Sequence, residues 1–242
     1  MRVALISDLH GNEVALDAVL ADIQRRGADR VVCLGDTATL GPHPEAVLDR
    51  LRDLGCTCIL GNHDAFMLDA ELVRSYSEAP IIIEAVDWCR ARLSTEHLAF
   101  VKTFVATSEI ELTPDAKLFL FHGTPRSHME DLLCTTPPDK VDEMLGGHRA
   151  SVMACGHTHI QMVRQHKSML IVNPGSLGMP FEQYVQGKAP KILPHAEYAI
   201  VEADGADIDV RLRRVALDKK ALRTAAQAND NPLGAELAKQ YA

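Results

Sequence analysis

Short apolar runs alternate with amphipathic stretches along the first half of the chain. Residues 3–6, 31–34 and 57–60 read as buried strands. Between them a helix is predicted over about residues 12–26, with Leu16, Val19, Leu20 and Ile23 on one face, and Val47, Leu51 and Leu54 mark a second. This strand–helix alternation with short joints predicts parallel βαβ units and a sheet covered on both faces. From residue 65 to 105 the pattern becomes helical: Ile82, Val86, Cys89 and Leu93 recur at helical spacing, as do Leu98, Val101 and Val105. That insertion either caps a site or packs on the sheet. Strands follow near 107–112 and 117–121, then Pro137-Pro138 before a short helix, then an apolar run at 152–155. Residues 159–215 alternate polar and apolar positions, which predicts antiparallel strands with one wet face. A charged helix begins near Leu217 and breaks around Asn229-Asp230-Asn231-Pro232. No repeat, linker or low-complexity tract divides the chain, so residues 1–242 read as a single α/β domain.

The 242 residues are 47% hydrophobic and 24% charged, ordinary for a globular protein with a sizeable core. Net charge is −8, with no cluster of Lys and Arg, which disfavours a nucleic-acid partner held along a basic groove. An acidic protein can still bind phosphate where cations supply the local positive charge. Of six cysteines, Cys33, Cys58 and Cys155 sit in apolar runs and read as buried thiols; Cys56-Thr57-Cys58 has no second pair to complete a zinc site. The apolar run after Arg2 is too short for a signal-peptide core, and nothing approaches the roughly 20 apolar residues of a membrane span. The expectation is a cytoplasmic protein with no membrane partner; the oligomeric state is not legible.

The polar residues cluster where apolar runs end. Residues 3–7 run into Asp8-Leu9-His10-Gly11-Asn12, 31–34 into Gly35-Asp36, and 57–60 into Gly61-Asn62-His63-Asp64; 118–121 meet His122-Gly123, and 152–155 meet Gly156-His157-Thr158-His159. In open α/β sheets, sites form beyond the carboxyl ends of strands. Five segments therefore deliver Asp, Asn and His to one rim. Asp8 and His10 are two apart, as are His157 and His159, so in extended chain each pair leaves on one side. Carboxylate, imidazole and amide ligands suit borderline divalent ions such as Mn, Fe, Zn, Ni or Co. The ligands are too many for one ion and fit two that share a carboxylate.

As an ordered set, Asp8-Leu9-His10, Gly35-Asp36, Gly61-Asn62-His63-Asp64, His122-Gly123 and Gly156-His157-Thr158-His159 resemble the motif series of calcineurin-like metallophosphoesterases. Asn173-Pro174-Gly175-Ser176 is also similar to small bacterial members, of phosphodiesterase type. The resemblance implies a four-layer αββα sandwich. It implies one metal on Asp8, His10, Asp36 and His159, and a second on Asp36, Asn62, His122 and His157, with Asp36 bridging. His63 would sit near the leaving oxygen, with Asp64 as its orienting partner.

Two cations about 3.5–4 Å apart lower the pKa of a shared water toward ~7, and the bridging hydroxide attacks phosphorus in line. His63 is the candidate general acid. His43, His128 and Arg126 lie in loops beside the motifs as candidate substrate contacts, with exposed loop positions as the simpler reading. In Gly35-Asp36-Thr37-Ala38-Thr39-Leu40-Gly41, Leu40 stands where protein phosphatases and symmetrically cleaving dinucleoside-tetraphosphate hydrolases carry an arginine, and Asp64 stands where they usually carry Glu. The expected substrate is a small phosphodiester. A nucleotide such as a dinucleoside polyphosphate, or a phosphomonoester, is the alternative, and a non-catalytic binding scaffold of the same fold belongs to a different class.

Overall fold

The computed structural model describes residues 1–185 and 187–242. Strand β1 (Arg2–Ile6) has four consecutive buried positions because sheet neighbours flank it and both of its faces are covered. Helix α1 (Glu13–Arg26) starts where the Asn12 side chain accepts from the Ala15 N–H and ends at Gly27, with φ 70°. Its buried residues include Leu16, Val19 and Ile23, the expected face. Strand β2 (Arg30–Cys33), helix α2 (Pro44–Leu54) and strand β3 (Thr57–Cys58) follow, with β1, β2 and β3 parallel. The third strand is shorter than its apolar run. Beyond Cys58 the pairing passes to Val105, which donates to the Cys58 carbonyl and accepts from the Leu60 N–H.

The helical insertion comprises α3 (Asn62–Leu68), α4 (Glu71–Tyr76), α5 (Pro80–Arg92) and α6 (Thr95–Val101). Strands β4 (Ser108–Thr113) and β5 (Ala116–Leu120) come next, then α7 (Pro138–Leu145), β6 (Val152–Ala154), β7 (Met162–His166) and β8 (Met169–Asn173). The chain closes with β9 (His195–Asp204), β10 (Asp207–Ala216), α8 (Lys219–Ala226) and α9 (Gly234–Gln240). Two five-stranded mixed sheets result, in the orders β10-β9-β1-β2-β3 and β4-β5-β6-β8-β7.

The alternation of side chains along each strand builds the layers. Val3, Leu5, Val32 and Leu34 face Leu118, Leu120, Val152 and Val172 between the sheets. Ala4, Ile6 and Cys33 face Leu16, Val19, Val47 and Leu51 of α1 and α2. On the far side Phe119, Met153 and Ile171 pack against Val141 and Leu145 of α7. Three apolar layers between four tiers make the αββα sandwich that the motifs imply. The expectation of wet-faced antiparallel strands over 159–215 holds only in part. Strand β9 lies beside β1, and its residues 196–201 are all buried, whereas edge strand β10 is largely exposed; β8 runs parallel to β6.

Candidate metal centre

The parallel strands of both sheets end at one rim. Asp8 and His10 follow β1, Asp36 follows β2, Asn62, His63 and Asp64 open α3, His122 follows β5, and His157 and His159 follow β6. Their side chains form two buried groups, Asp8–His10–His159 and Asp36–His122–His157, each with ligand atoms within 4.8 Å of one another. Asp36 lies between them, its Oδ2 3.3 Å from His122 Nε2 and 4.0 Å from His10 Nε2. Asn62 Oδ1 is 3.2 Å from His122 Nε2. All seven expected ligands therefore converge. The backbone is bent to do it: Asp8, His10, Asp36, His157 and His159 have φ of 55°, 46°, 57°, 69° and 58°. Left-handed geometry costs of order 1–3 kcal/mol per non-glycine residue and persists where the surroundings enforce it. Here Asp8 N–H donates to Gly35 O, His10 N–H to Asp36 O, and Gly178 N–H and Ser176 Oγ to Asp8 O. The last two bonds show what the Asn173–Ser176 loop does, and Asn173 Nδ2 also donates to Gly156 O. Gly61 is needed for close approach, since a Cβ there would lie 2.1 Å from Asp36 Oδ1.

The donor set fits divalent cations. His122 Nδ1 donates to Leu34 O at 2.6 Å and His159 Nδ1 to Met179 O at 2.7 Å, so in the neutral rings each Nε2 lone pair faces its carboxylate. His10 Nε2 and His159 Nε2 face each other at 3.1 Å. Asp8 Oδ1 and Asn62 Nδ2 are buried and make no hydrogen bond among the described residues. Buried polar groups in such an arrangement need a cation or a proton between them.

The electrostatics agree. Burial opposes ionised Asp36, yet His122, His63 and His10 hold its carboxyl well below the usual range. Burial likewise opposes ionised Asp8, and His159 outweighs it. Burial would depress His122, but Asp36 and Asp8 raise it to about 9; His159 is raised against burial chiefly by Asp8. His10 is driven well below its ordinary value by burial and by neighbouring His159 and His63.

His63 lies at the edge of the groups, its ring 4.9 Å from that of His10. Asp64 does not orient it, contrary to expectation. Asp64 accepts instead from Asp36 N–H, Gly61 N–H, Thr37 N–H and Thr37 Oγ1, at 2.7–2.9 Å. It sits at N3 of α3, where a carboxylate turns back to free N–H groups. The partner of His63 is Thr39, its Oγ1 2.8 Å from Nδ1. Arg126 is engaged by Glu130 and Glu143, which leaves no free guanidinium for a phosphate oxygen. His43 Nδ1 is 3.6 Å from Glu13. The pKa of half-buried His128 is lowered by burial and by His122 and His157. Sequence reasoning passed over Thr39, Asp131, Phe181 and Tyr76. Asp131 is 3.4 Å from His157 Nε2, Phe181 stacks on His159 at 4.1 Å, and the Tyr76 ring is 6.2 Å from His63. All four lie in loops or at a helix end, where no hydrophobic period marks a side chain's direction.

Residues 1–203 match the calcineurin-like phosphoesterase superfamily domain. Uncharacterized protein MJ0912 of Methanocaldococcus jannaschii is 31% identical over 193 residues, 74% of this chain and 76% of that protein. Phosphodiesterase YfcE of Escherichia coli is 25% identical over 190 residues, covering 74% and 81%. The symmetrical bis(5'-nucleosyl)-tetraphosphatase of Bordetella pertussis is 25% identical over 179 residues, covering 65% of each. A metallophosphoesterase structure from Sphaerobacter thermophilus superposes with TM-score 0.72 at 24% identity over 99% of both chains, a likeness of fold.

Proposed function

The chain belongs to the calcineurin-like phosphoesterase superfamily, and on that premise we propose that it hydrolyses a small phosphodiester with two divalent cations that share Asp36. The observation that carries this is the position of the Asp36 carboxylate between the two carboxylate–histidine groups. Asp8, His10, His159 and Asp36 would hold one cation, and Asp36, Asn62, His122 and His157 the other. A pair so held supplies Lewis acidity to phosphoryl oxygens and an activated water. Manganese suits the nitrogen–oxygen donor set. The six cysteines are unbridged, four of them buried, which fits a reducing cytoplasmic location.

His63 supplies the proton for the departing oxygen. Burial lowers its pKa to about 4, against the pull of Asp36, so the ring is neutral in the free site at neutral pH. A bound phosphate anion favours the protonated imidazole. Thr39 fixes the ring through Nδ1 and leaves Nε2 for the leaving group. Asp64 clamps the Asp36 backbone to the start of α3 and acts through that loop.

The diester is preferred because Asp8 and Asp36 pair with histidines, and Arg126 is engaged elsewhere. A singly charged ester then asks less of the site than a dianion. The second reading, cleavage of a dinucleoside polyphosphate, is favoured by the tetraphosphatase relative; Leu40, at the position of that group's arginine, argues against it. The test is hydrolysis of bis-p-nitrophenyl phosphate, p-nitrophenyl phosphate and a dinucleoside tetraphosphate by metal-free and Mn²⁺-loaded protein. The diester should turn over fastest, and only with metal. Mn²⁺ binding with no hydrolysis of any ester would favour the scaffold instead.

A further inference from the structure

The seven candidate ligands come from strand ends, but a carboxylate from outside the motifs reaches one of them. Asp131 lies in the loop between β5 and α7, and its Oδ1 is 3.4 Å from His157 Nε2. Its Oδ2 accepts from the hydroxyl of Tyr184, in the loop between β8 and β9. The His157 side chain is 6% exposed and that of Asp131 is 32% exposed, so the carboxylate closes the open side of a buried imidazole.

We propose that Asp131, held by Tyr184, is a positioning residue that fixes the tautomer and orientation of His157 toward the Asp36–His122 group. The contact is an electrostatic approach at 3.4 Å, and because a carboxylate only accepts, it favours the tautomer whose proton is on the nitrogen facing it. His157 Nε2 is then N–H, and Nδ1 keeps the lone pair for a cation. His122 and His159 reach the same end by another route, through backbone carbonyls on Nδ1. His157 follows Gly156 at φ 69°, and its N–H donates to Asp8 Oδ2. That bond fixes its backbone and leaves the ring to be set by Asp131. Carboxylate–histidine contacts of this kind also raise ligand basicity, and their removal typically weakens metal binding roughly 10–100-fold.

The inference rests on the two-cation reading, and two measurements separate them. The first is ¹⁵N spectroscopy of the histidine rings in the metal-free protein. His157 should show a protonated Nε2 and an unprotonated Nδ1, and Asp131→Ala should mix the two tautomers. The second is calorimetric titration with Mn²⁺. Asp131→Ala should weaken one of two binding events by roughly 10–100-fold and leave the other within about 3-fold. Tyr184→Phe, which removes only the hydroxyl, should weaken the same event by less. Glu130→Gln, a neighbouring carboxylate turned to Arg126, should change neither reading. An unchanged His157 tautomer and unchanged second affinity in Asp131→Ala would overturn the positioning role while leaving two cations in place. Fewer than two Mn²⁺ bound by the unsubstituted protein would overturn both.

Discussion

Asp64 is a fully buried carboxylate at the start of α3. Its neighbour in sequence is His63, but its hydrogen bonds close the loop between Asp36 and Gly61. Asp64→Ala would leave four buried donors without an acceptor, at about 1–3 kcal/mol each before relaxation. We expect a fall of about 3 kcal/mol or more in unfolding free energy by denaturant titration. Asp64→Asn, with one acceptor oxygen, should fall between. His63 makes the opposite prediction. His63→Ala should retain both cations and lose turnover by roughly 10²–10⁴-fold, most for poor leaving groups. Equal loss on p-nitrophenyl and alkyl esters would remove His63 from the acid role. Thr39→Val should cost about 5-fold in turnover, the worth of one hydrogen bond of about 1 kcal/mol. The ligand-type residues were legible because strand ends announce them. Thr39 and Asp131 were not, since their roles come from where a loop folds back.

At the scale of elements, α1 and the strands of the first half followed from hydrophobic period. The differences arose where long-range pairing decides. Val105 completes the short third strand from a position that reads as helical. Strand β9 is buried on both faces because it pairs with β1, about 195 residues away in sequence, and local alternation carries no trace of that partner. The insertion contributes Tyr76 to the mouth beside His63 and is tied to the C-terminal segment, where Asp230 accepts from Trp88 and Arg92. That segment also holds the Asp36–Pro42 loop through Asn229 to Pro42 O and Asn231 to Leu40 O. At the start of α3, Gly61 lies close against Asp36. Gly61→Ala places a Cβ against Asp36 Oδ1 and backbone N, so the start of α3 must move away from the centre. Metal analysis of that variant should find the cations depleted, with far-ultraviolet circular dichroism near that of the unsubstituted protein. Full occupancy would mean the contact relaxes freely.

For the whole molecule, two sheets together build one of the two candidate ligand groups. Asp36 comes from the first sheet, and His122 and His157 come from the second. On the two-cation reading, cation binding is linked to sheet packing and to protons. His122 is raised to about 9 by Asp36 and Asp8 against burial, so the cation must displace its proton. Mn²⁺ affinity should rise roughly tenfold per pH unit from pH 7 to about 9 and then level. The metal-free protein should do the reverse. The folded pKa lies above the ordinary 6.5, so the His122 contribution is full below that value and is lost as pH rises through about 9. Thermal unfolding with and without saturating Mn²⁺ across this range should give slopes of opposite sign.

The central claim is that Asp36 joins two cations into one centre. Electron paramagnetic resonance of the protein loaded with two equivalents of Mn²⁺ tests it most directly. The expected spectrum is that of an exchange-coupled Mn²⁺ pair, lost in Asp36→Asn. A spectrum of isolated Mn²⁺ ions in the unsubstituted protein, unchanged by Asp36→Asn, would contradict it.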